Sequence, residues 1–253
     1  MTSLAIIGGS GLTRMEGLKV TRREMVKTPY GAPSCPIIFG EMDSQEVAFL
    51  PRHGSSHRIP PHRVNYCANI WALNSVGIKH IIAVGAVGGI HPDCTVGSIV
   101  IPDQIIDYTH GRENTFFDGG DDPMEILDFS FPYNAALRAA LIGAAASSSD
   151  VNVVEQGTYG ATCGPRLETV AEIRRMALEG CTIVGMTGMP EASLAAELHM
   201  AYACMSVVVN PAAGVNEKPV DMTLLPAAIE AGMEKARSVL HATLNSPALA
   251  SLL

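Results

Sequence analysis

Leu4-Ala5-Ile6-Ile7-Gly8-Gly9-Ser10-Gly11-Leu12 is the stretch that decides how this chain begins to fold. Its first four residues are all apolar, as expected of a strand buried on both faces. The glycines that follow allow a sharp turn and bring backbone N–H groups and the Ser10 hydroxyl to the end of that strand. This pattern predicts an anion-binding loop or a plain tight turn. It does not fit the dinucleotide fingerprint, because Arg14 stands where the third glycine belongs.

Strand-length apolar runs recur along the chain and alternate with segments of helical spacing. This alternation predicts an α/β fold around a parallel or mixed sheet. The helical segments are His62–Val76, Tyr133–Ala146, Thr169–Leu178, Pro190–Leu198 and Met222–Leu244, and residues 110–128 between them read as a long polar loop. The predicted strands are Leu4–Ile7, Val47–Leu50, Ile81–Val84, Ser98–Ile101, Val151–Glu155, Thr182–Gly185 and Ser206–Val209.

Composition narrows the class of protein. With 17 Lys and Arg against 25 Asp and Glu, the net charge is −8, which argues against a nucleic-acid partner. The N-terminus has no basic segment before its short apolar run, and Glu197 and His199 interrupt the longest apolar stretch, so we expect neither a signal peptide nor a membrane span. Six scattered cysteines without a CxxC pair indicate free thiols in a reducing compartment, the cytoplasm.

The densest cationic stretch follows the predicted strand Val47–Leu50. It begins Arg52-His53-Gly54 and continues to Arg63. A guanidinium offers a planar fork suited to phosphate, and a histidine can add a hydrogen bond. A metal site at His53, His57 and His62 and a solvated basic turn are the alternatives, and Pro60-Pro61 prevents one helix from carrying all three histidines.

Four further strand ends carry small or polar residues. They are Gly85-Ala86-Val87-Gly88, Gly164-Pro165-Arg166-Leu167-Glu168, Gly185-Met186-Thr187 and Asn210-Pro211-Ala212. Each alone has a structural explanation, such as close packing, a helix cap or a turn. Together they would line one edge of one sheet, where open α/β folds bind ligands.

With these motifs, the chain resembles the purine nucleoside phosphorylase and methylthioadenosine phosphorylase family from Gly8 to about Leu244. The resemblance is carried by Gly8–Gly11, Arg52–Gly54, Val64–Leu73, Gly164–Arg166 and Gly185–Glu191. It implies a single α/β domain, residues 1–253, whose mixed sheet partly closes into a barrel with surrounding helices. It also implies a homotrimer that uses no metal or organic cofactor, with orthophosphate as co-substrate.

The resemblance assigns roles by position. Glu168 and Asn210 would be catalytic through their contacts with the base. The substrate would further contact Leu167, Met186, Pro211, Ala212, Met222 and Leu225. Phosphate would be held by Ser10, Arg52, His53, Ala86 and Thr187.

Glu168 and Asn210 match the pair found in phosphorylases of 6-oxopurines. An ionised Glu168 accepts from the N1–H of hypoxanthine, and the Asn210 amide donates to O6 or N7. Adenine presents a bare N1 to the same carboxylate. Met222 and Leu225 suit an apolar 5′ substituent. We therefore expect phosphorolysis of S-methyl-5′-thioinosine to hypoxanthine and 5-methylthioribose 1-phosphate. The alternatives are a methylthioadenosine phosphorylase, an inosine/guanosine phosphorylase and a non-catalytic nucleoside sensor.

Overall fold

The computed structural model describes residues 2–119, 126–148 and 150–253. Within them an eleven-stranded mixed sheet carries helices on both faces. The helices are α1 Tyr66–Ser75, α2 Ala135–Ala146, α3 Val170–Leu178, α4 Glu191–Glu197, α5 Leu225–Leu244 and α6 Pro247–Ala250. The strands are β1 Leu4–Gly8, β2 Lys19–Glu24, β3 Ile37–Met42, β4 Gln45–Pro51, β5 His80–Gly89, β6 Ile99–Val100, β7 Gln104–Asp107, β8 Val153–Val154, β9 Thr158–Ala161, β10 Cys181–Gly185 and β11 Ala201–Pro211.

The sheet forks at β5. The main path runs β2-β3-β4-β1-β5-β10-β9-β7, and β11 leads from β5 to β6 and β8. The first half of β5 pairs in parallel with β1, and its last two residues pair antiparallel with β10. β11 pairs in parallel along the whole of β5. The mixed sheet of the expected fold is confirmed, and the ladders that join the described strands fork without forming a complete ring.

Alternating residues of β1 feed two separate cores. Ala5 and Ile7 pack with α1 and α4 on one face of the sheet. Leu4 and Ile6 pack with α2 and α5 on the other. A strand that is apolar on both faces therefore lies between two helical layers, as its composition predicts. Within the described residues no helix has both the length and the apolar character needed to cross a membrane.

Four strands were not predicted from the sequence. β2 reads Lys-Val-Thr-Arg-Arg-Glu and is almost wholly exposed, so it has none of the apolar character used to recognise a strand. It holds its place at the sheet edge by antiparallel pairing with β3. β7 and β9 are only four residues long each and pair with one another in parallel.

Two predicted helices begin three or four residues later than their apolar spacing suggested, and the other three begin one or two residues later. The predicted helix His62–Val76 begins at Tyr66, after a 3₁₀ turn at Pro61–Arg63. Asn65 caps α1, because its side chain accepts from the backbone N–H of Ala68. The predicted helix Met222–Leu244 begins at Leu225, and Met222 lies in the turn before it.

Candidate active site

A cavity of about 490 Å³ lies at the ends of β1, β5, β10 and β11. Side chains from the loops after these strands and from the start of α5 line it. Ten of the thirteen residues predicted from the sequence are among them, namely Ser10, Ala86, Leu167, Glu168, Met186, Thr187, Asn210, Ala212, Met222 and Leu225. The three that do not line it are Arg52, His53 and Pro211.

Ser10, Ala86 and Thr187, which were expected at the phosphate, all line this cavity. The glycine loop after β1 lies directly on β5, because a side chain at Gly9 would stand 2.8 Å from the carbonyl oxygen of Val84. The Thr187 hydroxyl also lies close to β5, 3.7 Å from where a Cβ of Gly85 would stand. Two hydroxyl groups and the backbone of a glycine turn therefore converge where an anion would sit.

Arg52 lies behind that loop and is 1% exposed. Its Nε and Nη2 donate to the two carboxylate oxygens of Glu191 at 2.8 and 2.6 Å, and its Nη1 donates to the carbonyl of Val84 at 2.8 Å. Burial alone would lower the pKa of Arg52, but the Glu191 carboxylate holds that pKa above its ordinary value. The direct phosphate contact expected of Arg52 stays a prediction, and only its two remaining N–H groups could make it.

His53 is buried beside Arg52 and carries no charge at neutral pH. Burial, followed by the charge of Arg52, lowers the pKa of His53 to about 4. Its Nδ1 lies 2.8 Å from the carbonyl of Ile59, which can only accept, so the proton of the neutral ring is on Nδ1. Nε2 is then an acceptor. The hydrogen bond expected from His53 to phosphate would have to come from its backbone N–H, or else Nε2 accepts a proton held by the phosphate.

The loop between β9 and α3 places Glu168. Thr169 and Glu172 form a capping box that fixes the start of α3 immediately after Glu168. The Thr162 hydroxyl donates to Oε1 of Glu168 at 2.7 Å. Glu168 is therefore a hydrogen-bond acceptor whose position is fixed by Thr162. It also lines a second cavity of about 560 Å³.

Asn210 reaches the cavity from the end of β11. The register of β11 against β5 shifts between Val208 and Asn210, and such a shift re-aims the side chain beyond it. Nδ2 of Asn210 donates to the carbonyl of Pro211 at 2.7 Å. Because that carbonyl can only accept, it fixes which end of the amide is nitrogen. Pro211 thus acts through its carbonyl and lies outside the cavity, in contrast to the expected substrate contact.

A further part of the cavity lining is apolar. Asp221 accepts from the backbone N–H and the hydroxyl of Thr223 at 2.9 and 2.6 Å, which holds the chain in a turn until α5 begins. That turn and the first part of α5 present Val220, Met222, Leu225 and Ile229 to the cavity. Met222 is 57% exposed, so it lies at the mouth of the cavity.

Three residues around the site were not assigned roles from the sequence. Glu191 holds Arg52 and also accepts from the Tyr202 hydroxyl at 2.8 Å. Thr162 holds Glu168, and Arg112 donates to backbone carbonyls beside the site. Glu191 and Arg112 have no local sequence signal for these contacts, because they act on residues 139 and 74 positions away, and the contact of Thr162 with Glu168 depends on how the loop between them folds. Arg112 belongs to the predicted polar loop 110–128, of which residues 120–125 lie outside the described part.

The metal alternative finds no support in the geometry. Within the residues that the structure describes, no group of three His, Cys, Asp or Glu side chains is placed to hold a metal ion. The rings of His53 and His57 pack edge to face with centroids 4.8 Å apart. Nε2 of His57 lies 3.3 Å from the Ser10 hydroxyl.

Comparison with known proteins decides the family. The family model of the Phosphorylase superfamily matches residues 3–245. The chain belongs to the phosphorylase superfamily. One relative, from Pseudomonas syringae pv. tomato, is named a probable S-methyl-5′-thioinosine phosphorylase. It is 50% identical to this phosphorylase over 97% of this chain and 100% of the relative's chain.

Two further relatives have names that correspond to activities kept as alternatives in the sequence analysis. A 6-oxopurine nucleoside phosphorylase of Pyrococcus furiosus is 48% identical to this phosphorylase over 86% of this chain and 83% of its own. The crystal structure of a methylthioadenosine phosphorylase from an Antarctic soil metagenomic library superposes with a TM-score of 0.89 at 36% identity, covering 96% of this chain and 85% of that one. The resemblance to the phosphorylase family and the expected fold are confirmed.

Proposed function

We propose that this enzyme catalyses phosphorolysis of S-methyl-5′-thioinosine, releasing hypoxanthine and 5-methylthioribose 1-phosphate. Orthophosphate attacks C1′ of the nucleoside, the bond from C1′ to N9 breaks, and its electron pair leaves with the base. The observation that carries the proposal is the cavity itself, which is lined by the hydroxyl residues Ser10 and Thr187, by Glu168 and Asn210, and by a group of apolar side chains.

The reaction needs different protein groups beside the sugar and beside the purine. Positive charge develops on the sugar and negative charge on the departing purine as the bond breaks. Phosphate held by Ser10 and Thr187 would stabilise the sugar cation, and a donor at N7 or O6 would stabilise the base. Glu191 neutralises the charge of Arg52. The phosphate would therefore be bound largely by uncharged donors, and the site needs no unpaired positive charge buried beside it.

Preference for a 6-oxopurine rests on Glu168. Thr162 already donates to Oε1, so the carboxylate offers its other oxygen as an acceptor for N1–H. Adenine would set its bare N1 against that oxygen, and a site built for a donor rejects an analogue without one by about 10⁴-fold. The second N–H of Asn210 remains for O6 or N7, since the first is used by Pro211.

Preference for a methylthio group rests on the wall formed by Val220, Met222, Leu225 and Ile229. A 5′-hydroxyl buried there would lose its hydrogen bonds to water without gaining others, whereas a thioether needs only apolar contact. This supports methylthioinosine over inosine. Methylthioadenosine is the alternative, and the metagenomic methylthioadenosine phosphorylase supports it at lower identity.

Base release from methylthioinosine, methylthioadenosine and inosine, measured at equal concentration with and without phosphate, tests the proposal. We expect phosphate-dependent release that is fastest from methylthioinosine. Equal rates on methylthioadenosine would replace the proposed substrate with the alternative. Binding without any release would leave a nucleoside sensor.

We propose further that the enzyme is a cytoplasmic homotrimer acting on its nucleoside and phosphate without metal or organic cofactor. Free thiols at all six cysteines support a reducing compartment. Two apolar side chains before α2, Ile126 and Phe131, are each 87% exposed, which supports burial of residues 126–131 against a second subunit. Light scattering should give three times 26.7 kDa, and an active monomer would contradict it.

A further inference from the structure

One guanidinium outside the cavity holds two of the loops that form it. Nη2 of Arg112 donates to the carbonyls of Thr162, Cys163 and Met186 at 3.3, 3.0 and 2.9 Å. Its Nη1 donates to the carbonyl of Met189. All four acceptors are backbone groups, so Arg112 cross-links the segments just beyond the point where the pairing of β9 with β10 ends.

The two segments serve opposite ends of the proposed substrate. Thr162 and Cys163 follow β9, and Thr162 holds the carboxylate of Glu168. Met186 and Met189 flank Thr187, whose hydroxyl belongs to the phosphate end. Arg112 therefore ties the base side to the phosphate side, although it does not itself line the cavity.

The guanidinium is fixed from its other face as well. It lies over the ring of Tyr66, 5.1 Å from the centroid, and Nη1 is 3.4 Å from the Tyr66 hydroxyl. That hydroxyl donates to the carbonyl of Pro61 at 3.0 Å, which anchors the ring. Nε of Arg112 is buried and has no hydrogen-bond partner among the described residues, so the polar contacts of this side chain are made by its two terminal nitrogens.

We propose that Arg112 is a positioning residue that sets the spacing between the base-binding and phosphate-binding sides of the active site. The proposal rests on the proposed phosphorolysis, since it concerns alignment of the two substrates in that reaction. A misalignment of about 1 Å between reacting groups can lower a rate on the order of 10²-fold. Binding of the base alone needs only one of the two sides, and it should not depend on Arg112.

Lysine cannot replace this residue. An ammonium is a compact point charge on a side chain one bond shorter, whereas the guanidinium has two terminal nitrogens, of which Nη2 contacts both segments and Nη1 contacts Met189. Arg112→Lys cannot place a donor at both nitrogen positions, so it loses part of this set of hydrogen bonds. It should therefore retain the positive charge and most of the fold while losing the alignment.

Arg138 offers a matched control. Its guanidinium also donates only to backbone carbonyls, those of Pro102, Ile101 and Glu155, at 2.8, 3.1 and 2.6 Å. None of these residues lines the active-site cavity. Arg138→Ala thus removes a comparable set of hydrogen bonds, but these hydrogen bonds do not hold residues of the active site.

The experiment compares wild type, Arg112→Ala, Arg112→Lys and Arg138→Ala. For each protein, kcat and KM are measured with methylthioinosine and phosphate, the dissociation constant of hypoxanthine by calorimetry, and Tm by scanning calorimetry. We expect kcat to fall at least tenfold in both Arg112 variants, with hypoxanthine affinity within about threefold of wild type. Arg138→Ala should lower Tm as much as Arg112→Ala and leave kcat within about twofold. Ethylguanidinium at non-denaturing concentration should restore part of kcat to Arg112→Ala alone.

Three results would overturn the proposal. One is a kcat in Arg112→Lys equal to wild type, and another is a loss of hypoxanthine affinity in step with kcat. The third is a kcat loss in Arg138→Ala as large as that in Arg112→Ala. If Arg112→Ala does not fold, Arg112→Lys decides the question by the same measurements. A wild-type protein without phosphate-dependent base release would instead refute the proposed function.

Discussion

At the scale of single residues, the hydrogen-bonding character of Glu168 carries the proposed base selectivity. The carboxylate can only accept, and Thr162 occupies one of its oxygens. An amide in the same place would both accept and donate. The identity of the atom that faces N1 of the purine is therefore the point on which hypoxanthine and adenine are distinguished.

Glu168→Gln should relax that selectivity. With its oxygen toward Thr162, the glutamine would present an N–H to the base and pair with the bare N1 of adenine. With the amide rotated, it would accept from hypoxanthine as before. We expect the ratio of kcat/KM for methylthioinosine over methylthioadenosine to fall at least about tenfold, corresponding to one hydrogen bond to a charged group. Steady-state kinetics on both nucleosides measure this.

Thr162→Val is the matched control for Glu168→Gln. It removes the hydrogen bond that holds the carboxylate, but it leaves the carboxylate as an acceptor. KM should rise while the preference for the 6-oxo base persists. An unchanged selectivity ratio in Glu168→Gln would remove Glu168 from base recognition.

At the scale of secondary-structure elements, the pair of Arg52 and Glu191 joins the end of β4 to the start of α4. Each side chain is 1% exposed, and the two make two hydrogen bonds to one another. Breaking such a pair strands a buried charge, whereas neutral replacement of both partners is often tolerated. The pairing also explains how Arg52, which was expected to contact phosphate, can be buried.

Arg52→Met should therefore be destabilising by about 3–5 kcal/mol, because Glu191 is left buried and unpaired. The double variant with Glu191→Gln should recover much of that loss, since glutamine can still accept from Tyr202. Urea unfolding measures both. The double variant then tests phosphate binding without the stability defect. A phosphate KM equal to wild type in that protein would show that Arg52 does not touch the anion.

At the scale of the whole molecule, buried histidines make stability depend on pH. The pKa of His53 is about 4 in the folded protein, lowered by burial and then by Arg52, against about 6.5 in the unfolded chain. Between these values the unfolded chain binds a proton that the folded protein does not. Stability is therefore lost as pH falls from about 6.5 to about 4. Burial lowers the pKa of His57 and His80 in the same direction.

The free energy of unfolding should fall across this window, with His53 contributing at most about 3 kcal/mol. His53→Asn should flatten the decline, because the asparagine amide can take the place of Nδ1 toward Ile59 without titrating. His199→Asn serves as control, since His199 is exposed and has a positive φ of 54° that asparagine tolerates. Urea unfolding at several pH values provides the measurement, and equal slopes in the three proteins would contradict it.

Much of the architecture was readable from local patterns. The apolar run Leu4–Ile7 predicted a strand buried on both faces, and β1 contributes side chains to both hydrophobic cores. Polar residues at strand ends predicted one site, because β1, β5 and β11 run parallel and bring their carboxyl ends to a common edge, and the loop after the antiparallel β10 reaches the same place. Ser10, Glu168, Thr187 and Asn210 do share one cavity. Where the sequence misled, as with the first turn of the helix expected at Met222, a side-chain cap or turn overrode the apolar spacing.

By itself, the sequence determined the class of fold, the family and the edge of the sheet where the site forms, since these follow from apolar periodicity and local motifs. Only the tertiary structure decided which side chains face the cavity. Arg52 is committed to Glu191, 139 positions along the chain, and Arg112 reaches Met186, 74 positions away. Such pairings depend on burial and on the packing of distant segments, and one-dimensional patterns carry no record of either.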